Sequence, residues 1–276
     1  MNPQPAYVMG VLNITPDSFS DAGRYFQNHE PVFDRAFRQA CVMVEQGAAI
    51  LDVGGESTRP GAVPVSLQQE LDRVLPVVER IGRELDVIVS VDTSRPEVML
   101  EASRLGAGMI NDVRALGMEG AVQAAAVSGL SVCLMHMQGS PATMQLAPTY
   151  ENVVAEVSDF LVQQATRCVE AGIRKSQIIL DPGFGFGKSL KHNLFLLQQL
   201  QEVVALGFPV LAGLSRKSML GGITGKPVEQ RLAASVAAAL LAAQAGAAIV
   251  RVHDVAETVD ALKVMDAVRV VREESV

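Results

Sequence analysis

Short, uninterrupted apolar runs, each entered through a glycine and left through a polar residue, recur along this chain. The pattern appears in EQGAAILDVGG (45–55), RLGAGMIND (104–112), VSGLSVCLMH (127–136), EAGIRKSQIILDPG (170–183), ALGFPVLAGLSRK (205–217) and QAGAAIVRVHD (244–254). Gly47, Gly106, Gly129, Gly172, Gly207 and Gly246 stand where a helix stop needs a left-handed residue. The runs do not alternate, as expected of parallel strands covered on both faces. With the runs at the N-terminus and before Asp92, strands are predicted near 7–13, 49–53, 87–92, 108–111, 131–135, 178–181, 209–213 and 248–252. Helices are predicted over 31–46, 67–84, 96–104, 118–127, 151–171, 192–205, 228–244 and 255–271.

Eight strand–helix units most simply close into a (β/α)8 barrel, and 276 residues suit one such α/β domain spanning 1–276. A doubly wound open sheet is the alternative, but no G-x-G-x-x-G follows the first strand. Two connections exceed what the fold needs: Thr15–Glu30 after the first strand and Glu56–Ser66 after the second. Loops of that length in a compact barrel are expected to be mobile binding loops or lids.

Hydrophobic residues make up 49% of the chain, with no Trp, so the expected core is aliphatic and alanine-rich. A net charge of −7 excludes nucleic acid as the main partner, because a phosphate backbone demands a basic face. Cys41, Cys133 and Cys168 are too widely spaced for a zinc site or disulfide framework, which predicts reduced thiols. Met1–Ala6 carries no basic and apolar leader, and the reading is a cytoplasmic enzyme. The uncharged stretch Leu232–Val250 is long enough for a membrane span, but Gln244 and Gly246 interrupt it; it reads as a buried helix followed by a strand.

The chemistry gathers where the runs end. Asn13, Asp52, Asp92, Asn111, His136, Asp181, Lys217, Arg251 and His253 fall at or just beyond predicted strand C-termini, the end on which parallel barrels build active sites. A single such residue is explained by loop wetness or helix capping; seven strands of eight ending this way predict a shared polar cavity. Asp52, Asp92 and Asp181, with Asn111, suit a ring bearing amide-like donors and acceptors. The Asn13 carbonyl suits Mg2+, which keeps waters and takes few protein oxygens beside a substrate phosphate. Arg59, Lys217, Arg251 and His253 suit a departing diphosphate. Lys217 reads as a hydrogen-bonding ammonium rather than a Schiff base, and His136, between two methionines, as structural. Gly183, Gly185 and Gly187 lack Walker spacing and read as clearance for a flat ligand.

The segments MGVLNITPDSFSDAGRY (9–25), DVGGESTRPGA (52–62), SVDTSRPEV (90–98), INDV (110–113), LMHMQGSPATMQ (134–145), LDPGFGFGKS (180–189), GLSRKSML (213–220) and RVHDV (251–255) together resemble the dihydropteroate synthases, pterin-binding TIM barrels. The match runs in order over essentially the whole barrel, with the first, second and sixth segments the most specific. The resemblance implies a transferase joining 6-hydroxymethyl-7,8-dihydropterin diphosphate to p-aminobenzoate, with release of pyrophosphate, in folate biosynthesis. It places Asp92, Asn111, Met135, Asp181 and Lys217 around the pterin. Asn13, as Mg2+ ligand, Thr58, Arg59, Arg251 and His253 fall to the diphosphate. Phe19, Thr58, Pro60, Phe186, Lys217 and Ser218 fall to p-aminobenzoate. Lys217, Arg251, Asp21 and Arg59 take the catalytic positions, with Asp17 also in the first loop and Asp52 on the diphosphate side. Ala22 stands where the family's D-G-G has its first glycine, at no expected ligand.

The resemblance further implies a homodimer, through the alanine-rich helix 228–244, and competition by sulfonamides. Phe19 and Pro60 are those of drug-sensitive members. A corrinoid-partnered methyl-transfer barrel would share Asp92, Asn111 and Asp181 but has no use for STRPG and RVH. A non-catalytic homologue would lack Asn13, Arg59, Lys217 or Arg251, and all four are present.

Overall fold

A computed structural model describes residues 5–14, 32–56, 65–139, 144 and 148–274 of the chain. Eight strands form one parallel sheet: β1 Tyr7–Asn13, β2 Ile50–Gly54, β3 Ile88–Asp92, β4 Met109–Asp112, β5 Ser131–Met135, β6 Ile178–Asp181, β7 Leu211–Ala212 and β8 Ile249–Val252. Their order is β6-β5-β4-β3-β2-β1-β8-β7, and a parallel bridge between Leu180 and Val210 brings the two outer strands together. The sheet is therefore a barrel, and the open-sheet alternative falls. Among the described residues ten α-helices follow the strands, singly or in pairs: α1 Val32–Glu45, α2 Leu67–Glu84, α3 Pro96–Arg104, α4 Ala121–Ser128, α5 Val153–Glu170, α6 Leu190–Gln198, α7 Leu200–Val204, α8 Ser218–Thr224, α9 Leu232–Gln244 and α10 Val255–Glu274. The uncharged stretch after Leu232 is α9 and then β8, and no described helix is long and apolar enough to cross a membrane.

The six glycines read as helix stops all have positive φ, from 68° at Gly129 to 101° at Gly246. Each returns the chain from a helix to the foot of the next strand. Several elements differ from expectation. The helix predicted over 192–205 divides at Gln199 into α6 and α7. The helix predicted from 228 begins at Leu232, after a single turn over Val228–Gln230. The short α8 escapes a periodicity search because its seven residues, SMLGGIT, include two glycines that weaken the helix signal. β7 is only two residues long; Pro209, just before it, has no N–H to give to a ladder.

Inside the barrel, Met9, Ile50, Met109, Cys133, Ile179, Leu211 and Ile249 form a separate apolar cluster, one residue from each of seven strands. This plug is worth about 1.5–3 kcal/mol per large side chain removed from water. Its main role for the site is to place a floor under the polar strand ends. Two larger clusters fill the space between sheet and helices. Cys133 and Cys168 are buried, Cys41 is half-buried, and none of the three is paired.

Candidate active site

Above the apolar floor the register sets the polar residues in tiers. Asp52 pairs in register with Ser90, and two residues further along Gly54 pairs with Asp92, which in turn pairs with Asn111. Asp52 is thus not a rim residue, as its sequence position implied, but sits one tier below Asp92 and is fully buried. Its carboxylate is occupied there. Oδ1 accepts from the Ser90 hydroxyl at 2.6 Å, and Oδ2 accepts from Asn111 Nδ2 at 2.9 Å and from Arg251 Nε at 2.7 Å. Arg251 also gives Nη2 to Asp92 Oδ2 at 3.1 Å, so one guanidinium bridges two carboxylates. Asp52 therefore serves as the foundation for Asn111 and Arg251 and, fully enclosed, presents no oxygen to a ligand.

The absence of a side chain at Gly54 brings the rim together. A Cβ there would stand 3.5 Å from Asn13 Oδ1 and 3.7 Å from Asp92 Oδ2, so those oxygens flank the same small gap. Opposite, Asp181 ends β6 beside Met135, its register partner on β5. Its Oδ1 accepts from the Gly183 N–H at 2.7 Å. Burial raises the Asp181 carboxyl above the usual range, with Lys217 pulling the other way. Asp92 is likewise raised, by burial and then by the charge of Asp52, against the pull of Arg251. Two carboxylates held above their ordinary range have most to gain from a ligand that donates hydrogen bonds to the charged form.

Lys217 follows β7, and its Nζ donates to the carbonyl of Phe184 and lies 4.7 Å from the centre of the Phe186 ring. Burial brings this lysine down to about 8, helped by Arg251 and opposed by Asp181. It remains mostly an ammonium near neutral pH. Ser218 opens α8 next to it. His253, just past β8, stands with Nδ1 3.0 Å from Ser215 Oγ, and its backbone N–H donates to the same oxygen. Thus Asn13, Asp92, Asn111, Met135, Asp181, Phe186, Lys217, Ser218, Arg251 and His253 all gather at one mouth of the barrel. Asp17, Phe19, Asp21, Thr58, Arg59 and Pro60, with the first long loop and residues 57–64 of the second, lie outside the described residues.

His136 is structural. It is buried, packs edge-on against Phe160 at 5.0 Å, and sits 2.9 Å from Lys188 Nζ. Burial and that cation push it down to about 3, so it stays neutral. Lys188 is a residue that the sequence reading passed over. Its buried Nζ donates to the carbonyls of Gly183 at 2.9 Å and Phe186 at 3.1 Å, tying down the glycine-rich loop. The same loop corrects the expectation for its glycines. All three have positive φ, and a Cβ at Gly183 or Gly187 would overlap the backbone of His136 or Gln138. At those two positions what approaches closely is neighbouring backbone, not a flat ligand, whereas a Cβ at Gly185 would meet the Lys217 side chain, 3.1 Å from its Cδ. The available signal was the lysine directly after the glycines; Ser90, the partner of Asp52, gave none.

A (β/α)8 barrel whose mouth carries carboxylates and an amide on one side and bridging cations on the other defines a class that binds polar heterocycles. The model of the pterin-binding enzyme family matches residues 9–253, and the chain belongs to that family. Within it the chain falls among the dihydropteroate synthases, which are transferases. The dihydropteroate synthase of Escherichia coli K12 is 53% identical over 95% of this chain and 91% of its own. The structure of the Yersinia pestis dihydropteroate synthase with a sulfonamide drug complex superposes with a TM-score of 0.91 at 49% identity, covering 98% of this chain and 96% of that one. That of Xanthomonas albilineans with 4-aminobenzoic acid gives 0.90 at 51% identity, over 96% and 94%.

Proposed function

We propose that the protein joins 6-hydroxymethyl-7,8-dihydropterin diphosphate to p-aminobenzoate, giving 7,8-dihydropteroate and pyrophosphate. The observation that carries this reading is the division of one barrel mouth. Asp92, Asn111 and Asp181 stand on the wall from β3 to β6, while Arg251 and His253 project from β8. The bound p-aminobenzoate in the Xanthomonas relative and the drug in the Yersinia relative support the same substrates and competitive inhibition by sulfonamides.

In this reading Asp92 and Asp181 accept the pterin's N–H donors while Asn111 supplies an amide, and Met135 lies along the ring. Arg251 and His253 hold the diphosphate. Lys217 spans pterin and amine, and Phe186 with Ser218 borders the amine. Phe19, Asp21, Thr58, Arg59 and Pro60 complete the amine and diphosphate sites from the two long loops, on the strength of the resemblance. The amine nitrogen is neutral near pH 7 and needs little help from a base, so loss of the diphosphate is the harder event. The C–O bond to the leaving diphosphate breaks, the amine's lone pair forms the C–N bond, and the amine gives up a proton. We place C–O cleavage ahead of C–N bond formation, with the electron-poor methylene stabilised by the ring and nearby carboxylates; kinetic isotope effects showing a tight transition state would reverse that order.

Mg2+ fits the residues in one respect: it needs few protein oxygens when phosphate and water supply the rest. Asn13 offers a neutral carbonyl beside Asp92, across Gly54. Bound there, the ion would neutralise charge developing on the diphosphate. We also propose a homodimer using α9 and its neighbour α10. The exposed Leu241, Val264 and Val268, with Leu194 of α6, line a groove of about 920 Å3. The unpaired thiols suit a cytoplasmic location. A coupled assay for pyrophosphate tests the function: release from the pterin diphosphate should rise steeply when p-aminobenzoate is added. No such rise would remove the proposal.

A further inference from the structure

Among the described residues only Ala115, Leu116 and Arg216 are non-glycine residues with positive φ, and Arg216, at 59°, immediately precedes Lys217. Such a conformation is strained and persists where surrounding contacts over-determine it. Arg216 is held at three points. Its N–H donates to Ser235 Oγ at 2.9 Å. Its carbonyl accepts from Arg231 Nη1 at 3.0 Å, and the same nitrogen reaches the Lys217 carbonyl at 3.3 Å. Its guanidinium grips both oxygens of Asp254, with Nε 3.1 Å from Oδ2 and Nη2 against Oδ1.

The anchors are themselves fixed. Arg231 gives Nε to the Lys226 carbonyl at 3.0 Å and lies where any Cβ on Gly221 would overlap its guanidinium. Ser235 donates to the Arg231 carbonyl at 2.7 Å. Asp254 directly follows His253. The fork between Arg216 and Asp254 therefore ties the residue before Lys217 to the residue after His253, from the end of β7 to the end of β8.

We propose that Arg216 and Asp254, backed by Arg231 and Ser235, form a brace that sets Lys217 against His253, so that the amine and diphosphate ends of the site keep a fixed separation. The inference rests on the functional reading above for the roles of Lys217 and His253. Arg216 and Asp254 are positioning residues, since the fork consumes their charged groups. A partly exposed ion pair adds little to stability, whereas a misplacement of roughly 1 Å at a reacting centre costs up to about a hundredfold in rate. The brace should therefore be nearly invisible in melting and plain in turnover.

The test is a double-mutant cycle of Arg216→Gln, Asp254→Asn and the pair together. Pyrophosphate release, melting temperature and affinity for free 6-hydroxymethyl-7,8-dihydropterin are read for each. Each single variant should lose about tenfold in kcat, keep free-pterin affinity within about twofold, and melt within about 2 °C of the parent. The double variant should be no worse than either single. Losses that multiply to about a hundredfold, an unchanged kcat, or a kcat that falls in step with melting temperature would each overturn the brace. The variants remove opposite ends of the fork, so either alone carries the test if the other fails to fold. Acylation of Lys217 by a lysine-directed reagent reads the geometry without turnover: its rate should rise several-fold in both singles, and an unchanged rate overturns the brace. A parent protein whose pyrophosphate release does not rise when p-aminobenzoate is added defeats the functional reading instead, and the labelling rates then decide the brace.

Discussion

Asp52 holds Arg251 through a 2.7 Å ion pair from the tier beneath the rim, where no water reaches its carboxylate. Removing that charge leaves Arg251 facing a single carboxylate and sets an amide, with one acceptor oxygen, against three donors. Asp52→Asn should cost about 3–5 kcal/mol of stability, the range for breaking a buried pair. It should also lower kcat/KM by more than tenfold. Ser90→Ala removes one neutral donor and should cost about 1 kcal/mol. Denaturant unfolding of both variants checks the ranking, and equal losses would deny Asp52 its place as the foundation.

Lys217→Ala should reduce turnover by at least about a hundredfold, because it removes the ammonium between Phe184 and the Phe186 ring. Near-normal pyrophosphate release would take Lys217 out of the site.

Arg251→Ala separates the two ends of the mouth. Affinity for the diphosphate-bearing pterin should fall at least about tenfold more than affinity for the free hydroxymethyl pterin. Calorimetric titration with both ligands measures this, and equal losses contradict the assignment.

The lowered Lys217 predicts an alkaline limb. Its active form is the ammonium, present below its value of about 8 and lost above it. In the free enzyme, kcat/KM should therefore decline as pH rises through about 8. Lys188 is also lowered by burial, to about 7, so the variant Lys217→Arg is needed to assign the limb. That variant should move the limb to higher pH; a limb that stays assigns the titration elsewhere.

His136 predicts a loss of stability in acid. Folded, it is held near 3, against an ordinary value of 6.5, so only the unfolded chain takes up its proton between those limits. Its contribution is complete above 6.5 and fades as pH falls toward 3, at a limiting slope of about 1.4 kcal/mol per pH unit. His136→Asn keeps an acceptor for Lys188 and should flatten the dependence of unfolding free energy on pH between 6.5 and 5. An unchanged slope would place the acid sensitivity elsewhere.

The fold was legible because each βα unit repeats one message: glycine, apolar run, polar end. Every strand lies within one residue of its predicted bounds, apart from the N-terminal boundary of β7, which is two residues away. What periodicity missed was short or glycine-rich, as in α8 and the break at Gln199. The rim residues were legible as types at strand ends. The tier of Asp52 was not, because a strand's last polar residue and one two positions earlier look alike until register is known. Lys188 was hidden for a related reason. A buried lysine is recognised by the carbonyls it collects, and those belong to a loop whose course the sequence does not print.

The eight-stranded ring is not stitched evenly. β1 and β2 share five registered pairs, as do β2 and β3, whereas β6 meets β7 through one bridge. That join works as a clasp, and above it stand the glycine-rich loop with Phe186 on one side and Lys217 on the other. The sparsest seam therefore lies under Lys217 and Phe186, while Asp92 ends β3, which shares one of the two fullest ladders. What the ladder leaves loose there is fastened by side chains instead: Lys188 ties the glycine-rich loop, and the fork between Arg216 and Asp254 holds the residue before Lys217.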